Sequence, residues 1–264
     1  MLKYWFVTKN SIAEYLAYRV NFVLWRLRVV ISILITFFLW QAIFIGKETI
    51  FNYSARSMFT YIILLNFITS IVFSTQTFRV AEEINKGTLS NLLIKPIDYI
   101  KFNLFRDFAD KLINTCFSLF EIALLLVILK PPFIFQTNPV NLLLFSIALV
   151  LSVFLYFYIN LILSFIGFWS KETWAPRFIF FIVVSFLAGT YFPLDIVPKT
   201  VYSILELLPF TYLIFFPLKI YLSQVHLQFI IKGFTISFIW IIALYYLSKK
   251  IWHKGLRVYT AEGK

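Results

Sequence analysis

The chain has 264 residues, 61% hydrophobic and 14% charged, with a mean hydropathy of +0.86, against roughly 45–50% apolar and about 25% charged in soluble domains. This composition excludes a soluble globular protein and makes lipid the main solvent. The formal net charge of +12 on so apolar a chain fits the Lys and Arg that orient membrane spans, and no nucleic-acid partner is expected.

In hydrocarbon every backbone N–H and C=O must be satisfied within the protein, which leaves helices or a closed barrel. Barrel strands are about 10 residues of strict alternation. The apolar runs over 29–45 and 141–169 are almost unbroken and have the length of helices, so the expected fold is an all-α polytopic membrane protein.

In the first segment, Lys3, Asn10, Glu14, Asn21 and Arg28 fall within one narrow arc at about 100° per residue. Trp5, Ile12, Leu16, Val20 and Leu27 occupy the other side. The pattern predicts an amphipathic helix over 1–28 that lies in the membrane interface and contacts lipid. Lys9, Arg19 and Arg26 fall off the stripe and are expected to snorkel toward water. The early charges leave no continuous apolar core, so no cleavable signal is expected.

Spans are predicted at 29–45, 58–78, 112–129, 142–169, 176–193 and 228–248, each long enough for a bilayer with some tilt or an interfacial turn. Six crossings put both ends on one side. That side carries Lys3, Lys9, Arg19, Arg26 and Arg28, then Arg79, Lys86, Lys95, Lys101, Arg106 and Lys111, and finally Lys171, Arg177 and the tail Lys249, Lys250, Lys254, Arg257 and Lys264. Most of the 24 Lys and Arg lie there. By the positive-inside rule the termini are cytoplasmic in an inner membrane.

The 79–111 loop reads as helix, short helix, turn, helix. Arg79 to Lys86 is helix-forming and Gly87 caps its C-terminus. Thr88 is expected to cap a second short helix carrying Leu89, Leu92 and Leu93 on one side. Pro96 forces a break, and Asp98 restarts the chain as an N-cap leading to Phe102, Phe105 and Phe108. The unit should form a compact cytoplasmic knob.

Within the third span Glu121 is the one deeply placed acid, either a polar pathway or substrate contact or a helix-packing hydrogen bond. Cys116, the single cysteine, excludes an intrachain disulfide and is expected to pack inside that span. Trp5, Trp25, Trp40, Trp169, Trp174, Trp240 and Trp252 fit interfacial belts. Between spans five and six, Pro193, Pro198, Pro209 and Pro217 interrupt a stretch in which Val197, Val201, Ile204, Leu205 and Leu208 keep helical spacing. A short amphipathic or re-entrant helix over 194–227 is expected on the outer face, lining or capping an internal path.

Little in the sequence supports chemistry. The Gly-Lys pairs are Gly46-Lys47, followed by Glu48, and Gly263-Lys264, and neither completes a phosphate-cradling loop. His226 and His253, on opposite expected sides of the membrane, and one cysteine make no zinc set. The chain is expected to be no enzyme, with no cofactor of its own.

The stretch Glu82-Glu83-Ile84-Asn85-Lys86-Gly87-Thr88-Leu89-Ser90-Asn91-Leu92-Leu93-Ile94-Lys95-Pro96-Ile97-Asp98 resembles the cytoplasmic loop between spans two and three of type-2 ABC exporter permeases, in particular the branch described as ABC-2 family transporter protein. The segment Gly189-Thr190-Tyr191-Phe192-Pro193-Leu194-Asp195-Ile196-Val197-Pro198, with Leu208-Pro209-Phe210 and Pro217, is similar to that family's region between spans five and six. The tail Trp252-His253-Lys254-Gly255-Leu256-Arg257-Val258-Tyr259 is similar to its usual ending.

The resemblance implies an interfacial elbow helix, six spans per subunit, and a second permease subunit, identical or not. It also implies separate ABC ATPase subunits, which carry the ATP and Mg and dock on the cytoplasmic side. The coupling set would be Glu82, Glu83, Asn85, Gly87, Thr88, Leu89, Leu92, Leu93 and Pro96: acids offered to the partner, a sharp corner at Gly87, and an apolar leucine ridge for a groove. Glu121, Pro193, Asp195 and Pro209 are the candidate pathway residues. The expected function is ATP-driven export of an amphipathic, hydrophobic or lipid-linked compound. A polysaccharide or lipid-linked glycan exporter and a non-transporting membrane component with an ATPase partner are the alternatives, and a membrane enzyme ranks third.

Overall fold

The computed structural model describes residues 2–17, 19–223 and 225–260, though not the side chains of residues 2, 16, 17, 19–22 and 25. The expected positions of the Leu16, Arg19, Val20, Asn21 and Trp25 side chains, and of Lys264, therefore lie outside the described residues.

Helix α1 (Leu2–Ala17) is followed by α2 (Arg19–Ile43). Arg26 to Arg28 belong to the first long apolar helix. A two-residue hairpin follows, β1 (Thr49–Ile50) antiparallel to β2 (Tyr53–Ser54). Its corner residues Phe51 and Asn52 have φ of 52° and 63°, the type I′ geometry that matches strand twist. Helix α3 (Ala55–Val72) starts where the Ser54 hydroxyl accepts from Ser57 N–H at 3.2 Å, a normal N-cap. It is the most enclosed long helix, with Met58, Ile62, Ile68 and Val72 all buried.

Helices α4 (Phe78–Asn85) and α5 (Ser90–Leu93) form the expected knob, and α6 (Tyr99–Leu129) runs without a break for 31 residues. The third helix of the loop and the third span are therefore one rod. Asp98 caps it as expected, accepting from Lys101 N–H at 3.0 Å. At its far end Lys130 turns left-handed (φ 44°) before Pro131 and Pro132. Helix α7 (Pro139–Ser164) begins with the Asn138 cap and runs into a 3₁₀ turn over Phe165–Phe168.

Helix α8 (Trp174–Leu187) has 14 residues, about 21 Å at ~1.5 Å per residue, which falls short of a ~30 Å hydrocarbon core. It stops because Gly189 turns to φ 81° and the N–H groups of Gly189 and Thr190 reach back to Phe186 and Ser185, a Schellman-type ending. Then come α9 (Lys199–Leu205), α10 (Phe215–Tyr221) and α11 (Leu227–Leu256), with 3₁₀ turns at Leu194–Ile196 and Pro209–Tyr212. Among the described residues five helices are long and apolar enough to cross a membrane, within Arg26–Ile43, Ala55–Val72, Tyr99–Leu129, Pro139–Phe168 and Leu227–Leu256. The chain is a multi-pass membrane protein.

Two kinds of packing hold it. Helix α1 lies on α6 through Tyr4, Thr8, Ser11 and Tyr15, spaced i, i+4, i+7, i+11 on one face. Thr8 donates to Phe105 C=O at 3.0 Å and Tyr4 stacks on Phe105. Trp5, 57% exposed, and Phe6 point away from that contact, so α1 offers its apolar residues to the surroundings and keeps its small polar ones inside. Elsewhere the core is aromatic. Gly233 lets α11 close on Phe216 and Gly255 lets it close on Phe168, since a Cβ at either place would lie 2.1 Å from a ring carbon.

Candidate functional site

The knob is built from a short amphipathic helix whose inner face, Val80, Ala81 and Ile84, is buried. Gly87 makes the corner that follows, with φ 72°, the left-handed conformation that glycine adopts without a Cβ penalty. Its N–H donates to Ile84 C=O at 3.2 Å, and Leu89 N–H reaches back to Glu83 C=O at 3.0 Å. Thr88 does not cap α5: its hydroxyl points back to Glu83 C=O at 3.4 Å, and the cap position falls on Leu89. Leu89 is 0% exposed and anchors the corner inward. The expected ridge of Leu89, Leu92 and Leu93 is thus split, with Leu92 half-buried against the core and Leu93 exposed.

The two glutamates separate likewise. Glu82 is exposed and pairs along the helix with Lys86 at 3.7 Å, an arrangement of little energetic weight. Glu83 turns inward, paired with Arg106 at 2.5 Å and accepting from the Tyr99 hydroxyl, so its charge serves the knob's own attachment to α6. Asn85 donates to Lys171 C=O at 2.9 Å and ties the knob to the loop after α7. Pro96 is exposed, and its carbonyl accepts from Lys3 Nζ at 2.6 Å. What remains outward is a corner of Thr88, Asn91, Leu93, Ile94, Lys95 and Pro96, with Ile94 at 83% exposure.

The base of this corner is clamped from every side. Arg79 pairs with Glu14 of α1 at 2.7 Å. Asp107 of α6 accepts from Thr75 Oγ1 at 2.7 Å and Gln76 N–H at 2.8 Å. Ser164 donates to Thr77 C=O at 2.7 Å. Gly167 abuts Ala81, where an added Cβ would lie 3.2 Å from backbone atoms. A hydrogen-bonded corner with an apolar tip on an immobilised base suits force transmission better than chemistry.

Deeper in, α6 carries a buried polar stripe, Asn103, Asp107, Asp110, Asn114, Ser118 and Glu121, at three- and four-residue steps that define one face. Glu121 is 7% exposed and faces Arg26, itself 6% exposed. Arg26 Nε donates to Glu121 at 2.7 Å, a second guanidinium nitrogen bonds the other oxygen, and Nη1 reaches Asn114 at 3.1 Å and Ser70 at 3.2 Å. Arg26 does not snorkel, because the bidentate carboxylate offers what water would. Further along, Asp110 accepts from Tyr15 and from Gln76 Nε2 at 3.3 Å. Burial first, then the nearby Asp110 carboxylate, push the Tyr15 hydroxyl well above its usual range, so it remains a donor.

At the opposite end Asp195 accepts from Tyr53 at 3.0 Å and pairs with Lys219 at 2.9 Å, and Lys219 also donates to Tyr53 at 3.1 Å. Burial and then Asp195 raise the Tyr53 hydroxyl far above the ordinary range. This cluster pins the hairpin of β1 and β2 to the segment after α8. Pro193 and Pro209 are buried at the starts of the 3₁₀ turns. A cavity of about 20 Å³ bordered by Thr36, Tyr61, Thr190 and Pro193 has room for one water at most.

Two expectations about single residues change. Cys116 lies exposed on the surface of α6. Trp252 is buried, stacked on Tyr99 with ring centroids 4.6 Å apart, and is no part of a belt, whereas Trp5, Trp169 and Trp174 are exposed.

The family model described as ABC-2 family transporter protein matches residues 30–263, nearly the whole chain. No curated protein matches it. The chain belongs to the ABC-2 transporter family, whose membrane proteins generally work with ABC ATPase partners.

Proposed function

We propose that this ABC-2 family chain is the membrane permease subunit of an exporter in which separate ATPase subunits supply the energy. The chain itself hydrolyses nothing, and ATP and Mg belong to the partner. The exported compound is amphipathic, hydrophobic or lipid-linked, and a second permease subunit completes the path. In this reading α8 and the segment to Pro198 together make the fifth of six crossings, α1 is the interfacial elbow, and both termini face the cytoplasm of an inner-membrane protein.

The observation that carries the reading is the corner at 88–96. Five separate contacts fix its base, while Leu93, Ile94, Lys95 and Pro96 stand exposed at its tip. An apolar tip on a rigid mount fits a groove on a soluble partner, and α6, continuous from Tyr99 to Leu129, carries any displacement into the membrane.

The test is co-purification of the tagged chain in nanodiscs with its ATPase subunits. Wild type should retain a stoichiometric ATPase, and Ile94→Glu should lose at least about tenfold in affinity, as expected when a charge enters an apolar contact, with the helical spectrum unchanged. A solitary wild-type chain, or an Ile94→Glu variant that binds as wild type does, refutes the assignment.

A further inference from the structure

Helix α11 ends on the coupling corner. At its cytoplasmic end Trp252 stacks on Tyr99 and sets its edge against Phe168 at 5.7 Å. Gly255, one turn on, lies against the Phe168 ring with no room for a Cβ. The chain then turns, Val258 N–H bonding Gly255 C=O at 3.1 Å, and brings Tyr259 back under the knob. The Tyr259 hydroxyl donates to Gly87 C=O at 2.7 Å and accepts from Ser90 N–H at 3.1 Å. One hydroxyl therefore spans the corner between α4 and α5. Gly87 C=O also receives the Ser90 hydroxyl at 2.6 Å, so its geometry is held from inside the corner and from the tail.

The same helix is seated at its other end. Gly233 holds the ring of Phe216 from α10, Lys232 pairs with Glu206 at 2.5 Å, and Trp240 Nε1 donates to Leu207 C=O at 2.9 Å. Glu206, Leu207 and Phe216 all belong to the segment between α8 and α11. A rod of 30 residues is thus tied to the corner at one end, through the turn that carries Tyr259, and to the segment before it at the other.

We infer that Tyr259 is a positioning residue that links the coupling corner to α11, making α11 a second lever, beside α6, through which nucleotide-driven movement of the corner reaches the outer segment 199–223. The inference rests on the permease reading above. A ring alone fills the space beside Phe168, so the hydroxyl is the part that follows the corner's backbone. Its loss removes two hydrogen bonds, one of them to a carbonyl that the Ser90 hydroxyl also serves, so the net shift of the linked equilibrium is about that of one ordinary bond, about fivefold.

Hydrogen exchange on the nanodisc complex with its ATPase subunits, with and without vanadate-trapped nucleotide, tests this. In wild type, nucleotide should alter exchange both at 87–93 and at 199–223. In Tyr259→Phe the response at 87–93 should remain, while that at 199–223 falls about fivefold; Val258→Ala, an exposed neighbour, should behave as wild type. An unchanged response at 199–223 in Tyr259→Phe overturns the inference and leaves the permease reading standing. Loss of both responses overturns it too, because Tyr259 is then only a strut that shapes the corner. A wild-type chain that holds no ATPase overturns the permease reading and the lever with it.

Discussion

Replacing Glu121 by Gln tests the internal logic of the membrane region. The substitution leaves the side chain's shape and removes its charge, stranding an Arg26 guanidinium that is 6% exposed beside two neutral acceptors, Asn114 and Ser70. Breaking one half of a buried pair costs about 3–5 kcal/mol. Translocon scales set about 2.5–3.5 kcal/mol for an arginine at the centre of a span. Because Arg26 is near the start of its apolar helix window and keeps two hydrogen bonds, the lower figure, about 3 kcal/mol, is expected. Removing both charges at once, as in Arg26→Met with Glu121→Leu, should restore stability to within about 1 kcal/mol of wild type, since paired apolar replacements are often neutral. Denaturant unfolding in mixed micelles of wild type, Arg26→Met, Glu121→Leu and the double variant closes a double-mutant cycle; with each single variant costing about 3 kcal/mol and the double about 1 kcal/mol, an interaction energy of about 5 kcal/mol is expected. Single variants that each cost under about 1 kcal/mol and simply add would show that Arg26 reaches water and that the pair does not hold α2 to α6.

Gly233→Ala should destabilise by about 1–3 kcal/mol, because its Cβ would overlap the buried Phe216 ring at 2.1 Å; an unshifted thermal midpoint would mean that α11 is not seated there. Tyr53→Phe removes a donor to Asp195 and an acceptor of Lys219, and should raise amide exchange over 49–54 by at least about fivefold, the effect of a single ordinary hydrogen bond. Exchange confined to its wild-type rate would show that the outer cluster does not hold the hairpin.

The membrane class was readable because the length of an apolar run decides it without reference to any neighbour, and the cap at Asp98 and the corner at Gly87 were readable because each depends on a few adjacent residues. The pair of Arg26 and Glu121 was not. The partners are 95 positions apart, and an isolated arginine beside a span reads as a snorkelling one. The buried stripe of α6 did have a signal: Asn103, Asp107, Asp110, Asn114, Ser118 and Glu121 recur on one helical face. Dividing the segment at 111 into loop and span cut the repeat in two. At α8 the apolar run continued to Pro193, and hydropathy outweighed the helix-ending Gly189.

The contrast between the two packing styles bears on where the molecule moves. The stripe of α6 gathers α1 through Tyr15, α2 through Arg26, α3 through Ser70, and the stretch of chain before α4 through Asp107. These bonds are buried and directional, and parting them leaves charges or donors unsatisfied, so α1, α2, α6 and the knob are expected to shift together. Between the bonds at its two ends, Tyr259 to the corner and Lys232 to Glu206, helix α11 meets its neighbours through rings set in glycine notches, contacts that are non-directional and depend on area and fit. A ring slides within a notch at lower cost than a desolvated ion pair breaks. In the permease reading the polar body around α6 is the piece that the ATPase pushes, and α11, bonded at the corner through Tyr259 and at the outer segment through Lys232, is expected to follow by sliding along its ring-lined middle.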